Sequence, residues 1–219
     1  MGVGYIRTRT VLLIAAVSLS LLAGCEWPQP TPPRVLDVPL VRQETEVWCW
    51  AATSEMIFRY YGSGLSQCEI LSRWVGQDCC LFRGNPICFQ AAPSLATIRQ
   101  TLVAFGGLSS VEVSRPLSLD EIKEEIEADR PIIAAYANTF SGHVVVIYGY
   151  DAQGNVYIRD PYFGSFTVPY GATFVYGGDK IWSQTIYRIR FDSFQDEAEP
   201  VQEVLKPSNG DLAVDPVRQ

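Results

Sequence analysis

Cys49 is the residue around which a reaction could be built. It stands in the stretch Gln43-Glu44-Thr45-Glu46-Val47-Trp48-Cys49-Trp50-Ala51-Ala52, six positions after a glutamine. At a helix start the unpaired backbone N–H groups and the macrodipole favour an anion, and this inclines a cysteine there toward the nucleophilic thiolate. If the Gln43 amide folded back beside the Cys49 backbone N–H, two donors would face the oxyanion of a tetrahedral intermediate. Alone, Cys49 reads equally well as a buried structural thiol or as half of a disulfide. A thiol nucleophile needs a base, and His143 is the only histidine in the chain. Small Ser141-Gly142 precede it, and β-branched Val144 to Ile147 follow. Asp160 ends the next apolar run, just before Pro161. If the intervening hairpin closes with Tyr150 opposite Asn155, Asp160 faces Val145, on the side of His143 and diagonal to it. Diagonal neighbours lie roughly 7–8 Å apart, within reach of long side chains, whereas a slip of one residue would turn Asp160 away. So placed, Asp160 would fix the imidazole tautomer and stabilise its cation. Taken singly, His143 reads as a satisfied core histidine and Asp160 as a turn former. Their coincidence with Gln43 and Cys49 favours the catalytic reading.

The elements that must hold these residues are legible to different degrees. From Cys49 to Tyr61, Trp50, Ile57, Phe58 and Tyr61 recur at helical spacing and Gly62 stops the run. Slim Ala51, Ala52, Thr53 and Ser54 suit a helix buried between two halves of a domain. Arg34 to Arg42 reads as an entering strand. Ser94 to Phe105 reads as a helix stopped by Gly106-Gly107, and Ser118 with Glu121 marks a capping box for a helix that ends before Pro131. That helix's acids (Asp120, Glu121, Glu124, Glu125, Glu127) are its solvated face. Strands follow over Ile132–Tyr136, His143–Tyr150, Val156–Asp160, Ser165–Pro169 and Ile181–Arg190, with turns at Gly154-Asn155 and Gly177-Gly178. Helices first and antiparallel strands after make the fold class α+β.

Residues 1–24 read as a signal peptide: Arg7 and Arg9, then an apolar run from Val11 to Leu22 too short for an ordinary transmembrane helix. Leu22-Ala23-Gly24-Cys25 resembles the lipobox of bacterial lipoproteins, and the resemblance implies that Cys25 is lipidated and begins the mature chain. Residues 25–33 then form a proline-rich tether, extended and semi-rigid, with a spacer favoured over a Pro-x-x-Pro ligand. The implied location is a membrane surface facing the periplasm or cell exterior. It would be the outer membrane where one exists, since Glu26 and not an aspartate follows Cys25. Loss of the two arginines takes the net charge from −7 to −9, which argues against a nucleic-acid partner. Residues 34–191 form the catalytic domain, and the acidic tail 192–219 is expected to be disordered. No recognisable pro-segment precedes Val35, so inhibition by a propeptide is not expected.

With Cys25 set aside for lipid and Cys49 for chemistry, four of the 6 cysteines remain. An even remainder in an exported chain predicts two disulfides. Joining the neighbours Cys79 and Cys80 would be strained, so each pairs outward, with Cys68 and Cys88 in either arrangement. A zinc site is disfavoured because the spacing is not that of C-x₂₋₄-C pairs.

Gln43, Cys49-Trp50-Ala51-Ala52, Gly142-His143-Val144-Val145-Val146 and Asp160-Pro161 together resemble the papain-like cysteine peptidases. They are most similar to a bacterial branch that includes secreted proteases and plant-pathogen effector proteases. The resemblance implies that Gln43 supports the oxyanion hole, Cys49 attacks, His143 is the base and Asp160 orients it. Papain has asparagine in the last role. The implied fold is two-lobed, with a helical lobe bearing Cys49 against a β lobe bearing His143. The implied substrate is a peptide or protein, with no metal or cofactor. The same machinery would serve other thiol acyl transfer, as in an amidase, a transglutaminase-like enzyme or a cell-wall peptide hydrolase. A third reading is a non-catalytic surface binding module.

Overall fold

The computed structural model describes Met1 and residues 32–191. The proposed signal peptide, Cys25, the tether up to residue 31 and the tail from residue 192 lie outside the described residues.

Helix α1 spans Cys49–Tyr60, and every residue from Trp50 to Phe58 is buried. No side chain caps its first turn. A cap contributes about 1 kcal/mol, whereas burying Met56, Ile57 and Phe58 contributes about 1.5–3 kcal/mol each, so packing rather than capping holds this helix. The chain reaches it through β1, only Arg34–Val35, which pairs with Tyr150 and Gly149. The strand predicted for Arg34 to Arg42 is thus cut short. Leu36 still donates to the Tyr148 carbonyl, but beyond it Val38 and Val41 sink into the core as irregular chain past Pro39, which has no N–H to give a ladder.

Two elements of six residues or more were not predicted. Helix α2, Gln67–Val75, carries Cys68 and begins with a Ser66–Glu69 capping box. Helix α3 spans Leu95–Gly106. Strand β2, Leu108–Val113, is the second addition; its Ser109, Ser110 and Glu112 dilute the strand signal. Helix α4, Leu119–Glu127, starts at the predicted capping box, with Ser118 N donating to Glu121 at 2.8 Å.

The strands β3 (Ile132–Ala137), β4 (Gly142–Tyr150), β5 (Asn155–Asp160), β6 (Gly164–Pro169), β7 (Val175–Tyr176) and β8 (Lys180–Phe191) complete one antiparallel sheet. Its order is β2-β8-β3-β4-β5-β6, with β1 on β4 and β7 on β8. The fold is α+β and papain-like: helices α1 to α3 stand on one side of a cleft and the sheet on the other. Thr53 of α1 donates to the Val144 carbonyl at 3.3 Å, tying the cysteine helix to the residue after His143.

Both predicted disulfides are present, and the pairing left open by the sequence is Cys68–Cys80 and Cys79–Cys88. All four sulfurs are consumed, so no zinc site forms there.

Candidate active site

Cys49 is the first residue of α1 and the only free cysteine among the described residues. Its two tryptophan neighbours anchor the helix start to the disulfide loop. Trp48, fully buried, donates its indole N–H to the Cys88 carbonyl at 2.9 Å, and Trp50 donates to the Gln90 carbonyl at 3.1 Å. Cys49 and His143 face each other across a cleft of about 320 Å³ whose walls are Ala91 to Leu95 on one side and Ala135 to Asn138 on the other. Apart from His143, that lining holds no charged side chain.

His143 lies near the start of β4, opposite Tyr136 of β3. Its Nε2 lies 3.0 Å from Asp160 Oδ1, which leaves Nδ1 for the thiol. The hairpin that brings Asp160 there does not close as predicted. Asp151 accepts the N–H groups of Gln153 and Asn155 on its carboxylate, so Asn155 folds onto Asp151 and Tyr150 pairs with Val156. A bulge between Ile147 and Gly149 absorbs the difference. Gly149 suits this crowded point, since a Cβ there would lie 2.8 Å from the Arg34 carbonyl oxygen. From Ile147–Ile158 and Val146–Arg159 onward the register places Asp160 across from Val145, as predicted.

Asp160 is fully buried. Its Oδ1 also accepts from the backbone N–H groups of Tyr162 and Phe163 at 2.7 and 3.1 Å, and its Oδ2 accepts from the Tyr176 hydroxyl at 2.8 Å. It is therefore a turn former and a histidine partner at once. Burial raises the Asp160 pKa, but the hydrogen bond and charge of His143 and the Tyr176 hydrogen bond outweigh it and hold the carboxyl below its usual range. For His143, burial is the largest influence and disfavours the cation; hydrogen bonds to Asp160 and Cys49, with their charges, overcome it and raise the pKa to about 9. The imidazole is thus cationic at neutral pH.

Gln43 is placed differently. Its backbone N–H donates to the Pro161 carbonyl at 2.9 Å, and its amide Nε2 to the Thr45 carbonyl at 2.8 Å. It lines a neighbouring groove with Arg42, Pro161 and Tyr162 rather than the cleft holding Cys49 and His143. Gln67, whose role the sequence did not suggest, fixes this segment by accepting from Glu44 N at 3.0 Å and donating to the Arg42 carbonyl at 2.8 Å. Tyr176 was also missed. One tyrosine among 11, it carries no mark in the sequence beyond the Gly177-Gly178 turn that follows.

Comparison with known proteins bears on the fold and the family. Among solved structures, the peptidase domain of Streptococcus ComA, a bifunctional ABC transporter involved in a quorum-sensing pathway, is 15% identical. That likeness covers 69% of this chain and 97% of that one with a TM-score of 0.50, and it supports the fold. A double-glycine-motif protease from an AMS/PCAT transporter, solved with a leader peptide, is 19% identical over 73% of this chain and 96% of that one, with a TM-score of 0.47. The Pseudomonas avirulence protein AvrPphB is 13% identical over 70% and 98%, with a TM-score of 0.31. No curated protein matches the sequence. The Peptidase_C39 like family matches residues 35–185, most of the folded region, and the chain belongs to that family.

Proposed function

We propose that this protein is a cysteine peptidase in which Cys49 attacks, His143 carries the proton and Asp160 holds the imidazole. One observation carries the reading: the only free cysteine among the described residues shares a cleft with the only histidine of the chain, whose far nitrogen lies 3.0 Å from a buried carboxylate. The resting pair is thiolate and imidazolium, the proton already on His143, and the sulfur attacks the carbonyl carbon of a peptide bond bound in the cleft. The imidazolium then protonates the leaving amine, and water, deprotonated by the same imidazole, hydrolyses the thioester. Negative charge on the carbonyl oxygen develops at the uncapped start of α1, where free N–H groups and the helix dipole favour it. Gln43, six residues upstream, is the proposed side-chain donor on its spacing from Cys49: its amide has a second N–H beyond the one given to Thr45, and it would turn from the neighbouring groove toward the cleft when substrate binds. Apart from the Cys49–His143 pair the cleft carries no charged side chain, which suits a neutral extended peptide. The lipobox-like Leu22-Ala23-Gly24-Cys25 supports the further proposal that the enzyme works tethered to a membrane on the exported side.

The test is hydrolysis of labelled casein by the wild-type protein and by Cys49→Ala and His143→Ala. Both variants should lose at least about 10²-fold in kcat/KM, the scale of general acid–base and nucleophilic assistance. Undiminished turnover in His143→Ala would sink the mechanism.

A further inference from the structure

Tyr176 has no part in the steps above, yet it touches two of the three residues that perform them. It ends β7, and the positive φ angles of Gly177 (61°) and Gly178 (86°) turn the chain directly after it into β8, fixing the residue at the hairpin's end. Its hydroxyl donates to Asp160 Oδ2 at 2.8 Å, the carboxylate oxygen that His143 leaves unused. Its ring stacks on the His143 imidazole at 4.7 Å between centroids, with an interplanar angle of 25°. Tyr136 at 5.3 Å and Phe163 at 6.0 Å hold that ring in place.

We propose that Tyr176 is the positioning residue of the His143–Asp160 pair, with its hydroxyl sharing the charge of the carboxylate and its ring covering one face of the imidazole. The inference rests on the reading of Cys49 and His143 as a catalytic pair. Two effects follow from the two contacts. A donor on Oδ2 withdraws charge from the carboxylate, so Asp160 grips the imidazolium less tightly and the imidazolium remains a competent acid toward the leaving amine. A stacked ring excludes water from the Nε2···Oδ1 hydrogen bond and prevents the imidazole from turning about its Cβ–Cγ bond. The titratable groups facing His143 are Cys49 from α1, Asp160 from β5, Tyr176 from β7 and Tyr136 from β3. In the turn after Tyr176, Asp179 and Lys180 pair with each other at 3.4 Å.

Because the chain has 1 histidine, its imidazole nitrogen resonances report His143 alone, without any substrate. The experiment is a pH titration of those resonances in the wild type, Tyr176→Phe, Tyr176→Leu and Cys49→Ala. Tyr176→Phe keeps the ring and removes the donor, so the His143 midpoint should rise by about half a pH unit or more, the scale of one net hydrogen bond. Tyr176→Leu also uncovers the ring face, and its midpoint should fall below that of Tyr176→Phe. A Tyr176→Phe midpoint that stays in place or falls would overturn the proposal, because a tyrosine that merely packs would leave it unmoved. Should Tyr176→Leu fail to fold, the phenylalanine comparison decides alone. A wild-type midpoint near the ordinary 6.5 that Cys49→Ala does not shift would instead overturn the thiol–imidazole pairing beneath it.

Discussion

Asp160 accepts four hydrogen bonds through two oxygens, from His143, Tyr162, Phe163 and Tyr176. Such saturation lets a carboxylate stay ionised where burial would otherwise neutralise it. The folded pKa of His143, about 9, lies above its ordinary 6.5, so the stabilisation from its cation is complete below 6.5 and disappears as pH rises through 9. Asp160 is depressed, so its contribution is present above the ordinary carboxylate range and is lost as pH falls through its lower folded value. Asp160→Asn separates charge from geometry. The amide oxygen can still accept from Nε2 and the two backbone N–H groups, and the Tyr176 hydroxyl can turn to accept from the amide nitrogen. We expect the alkaline limb of kcat/KM against pH to move down from about 9 toward 6.5 while activity persists at pH 6. Complete loss at pH 6, as expected for Asp160→Ala, would show that the charge itself is indispensable.

At the scale of elements, α1 is held at its start by two indole hydrogen bonds of unequal surroundings. Trp48 is fully buried and its acceptor belongs to a fully buried cysteine, whereas the Gln90 acceptor of Trp50 is on an exposed residue. An orphaned buried carbonyl costs about 1–3 kcal/mol, while an exposed one rebinds water. Trp48→Phe should therefore destabilise by about 2 kcal/mol or more in urea unfolding, and Trp50→Phe by about 1 kcal/mol or less; equal losses would contradict this account. The elements also show what local signals can and cannot carry. The Ser118–Glu121 box announced α4, yet Ser66-Gln67-Cys68-Glu69 has the same spacing and opens α2 with Ser66 N donating to Glu69 at 2.9 Å. Strand β2 has no clean alternation because it pairs at the sheet edge, where half-buried Ser109 and Ser110 suffice.

At the scale of the whole molecule, Cys49, His143 and Asp160 were legible because each stood at a recognisable boundary: a helix start, a strand start, a strand end before proline. The face on which Asp160 falls was legible only in part. Period-two alternation fixed it correctly, but the turn and the bulge each depart by one residue from the simple hairpin, and only their cancellation preserved the result. Gln67 and Tyr176 reach their partners through long-range packing, to which no local pattern points. Disulfide connectivity was hidden for the same reason, since it depends on how α2 lies against the loop after it.

That loop sets a chemical conflict. A thiol enzyme drawn from oxidising surroundings is ordinarily woken with a reductant, which returns an oxidised nucleophile to its working state. Here the carbonyls of Cys88 and Gln90, which hold Trp48 and Trp50 on either side of Cys49, and the cleft wall from Ala91 onward, all hang on Cys68–Cys80 and Cys79–Cys88. Cys79 and Cys88 are both fully buried, whereas Cys80 is half-exposed, so Cys68–Cys80 is the bridge a reagent reaches first. Activity plotted against dithiothreitol should climb and then decline, the decline coinciding with the appearance of Cys80 among the alkylated thiols in peptide mass spectra. A curve that only climbs would mean that the staples are dispensable once the chain has folded. The reagent that restores the sulfur would otherwise loosen the scaffold around it, so the proposed peptidase would be confined to a redox window bounded on both sides.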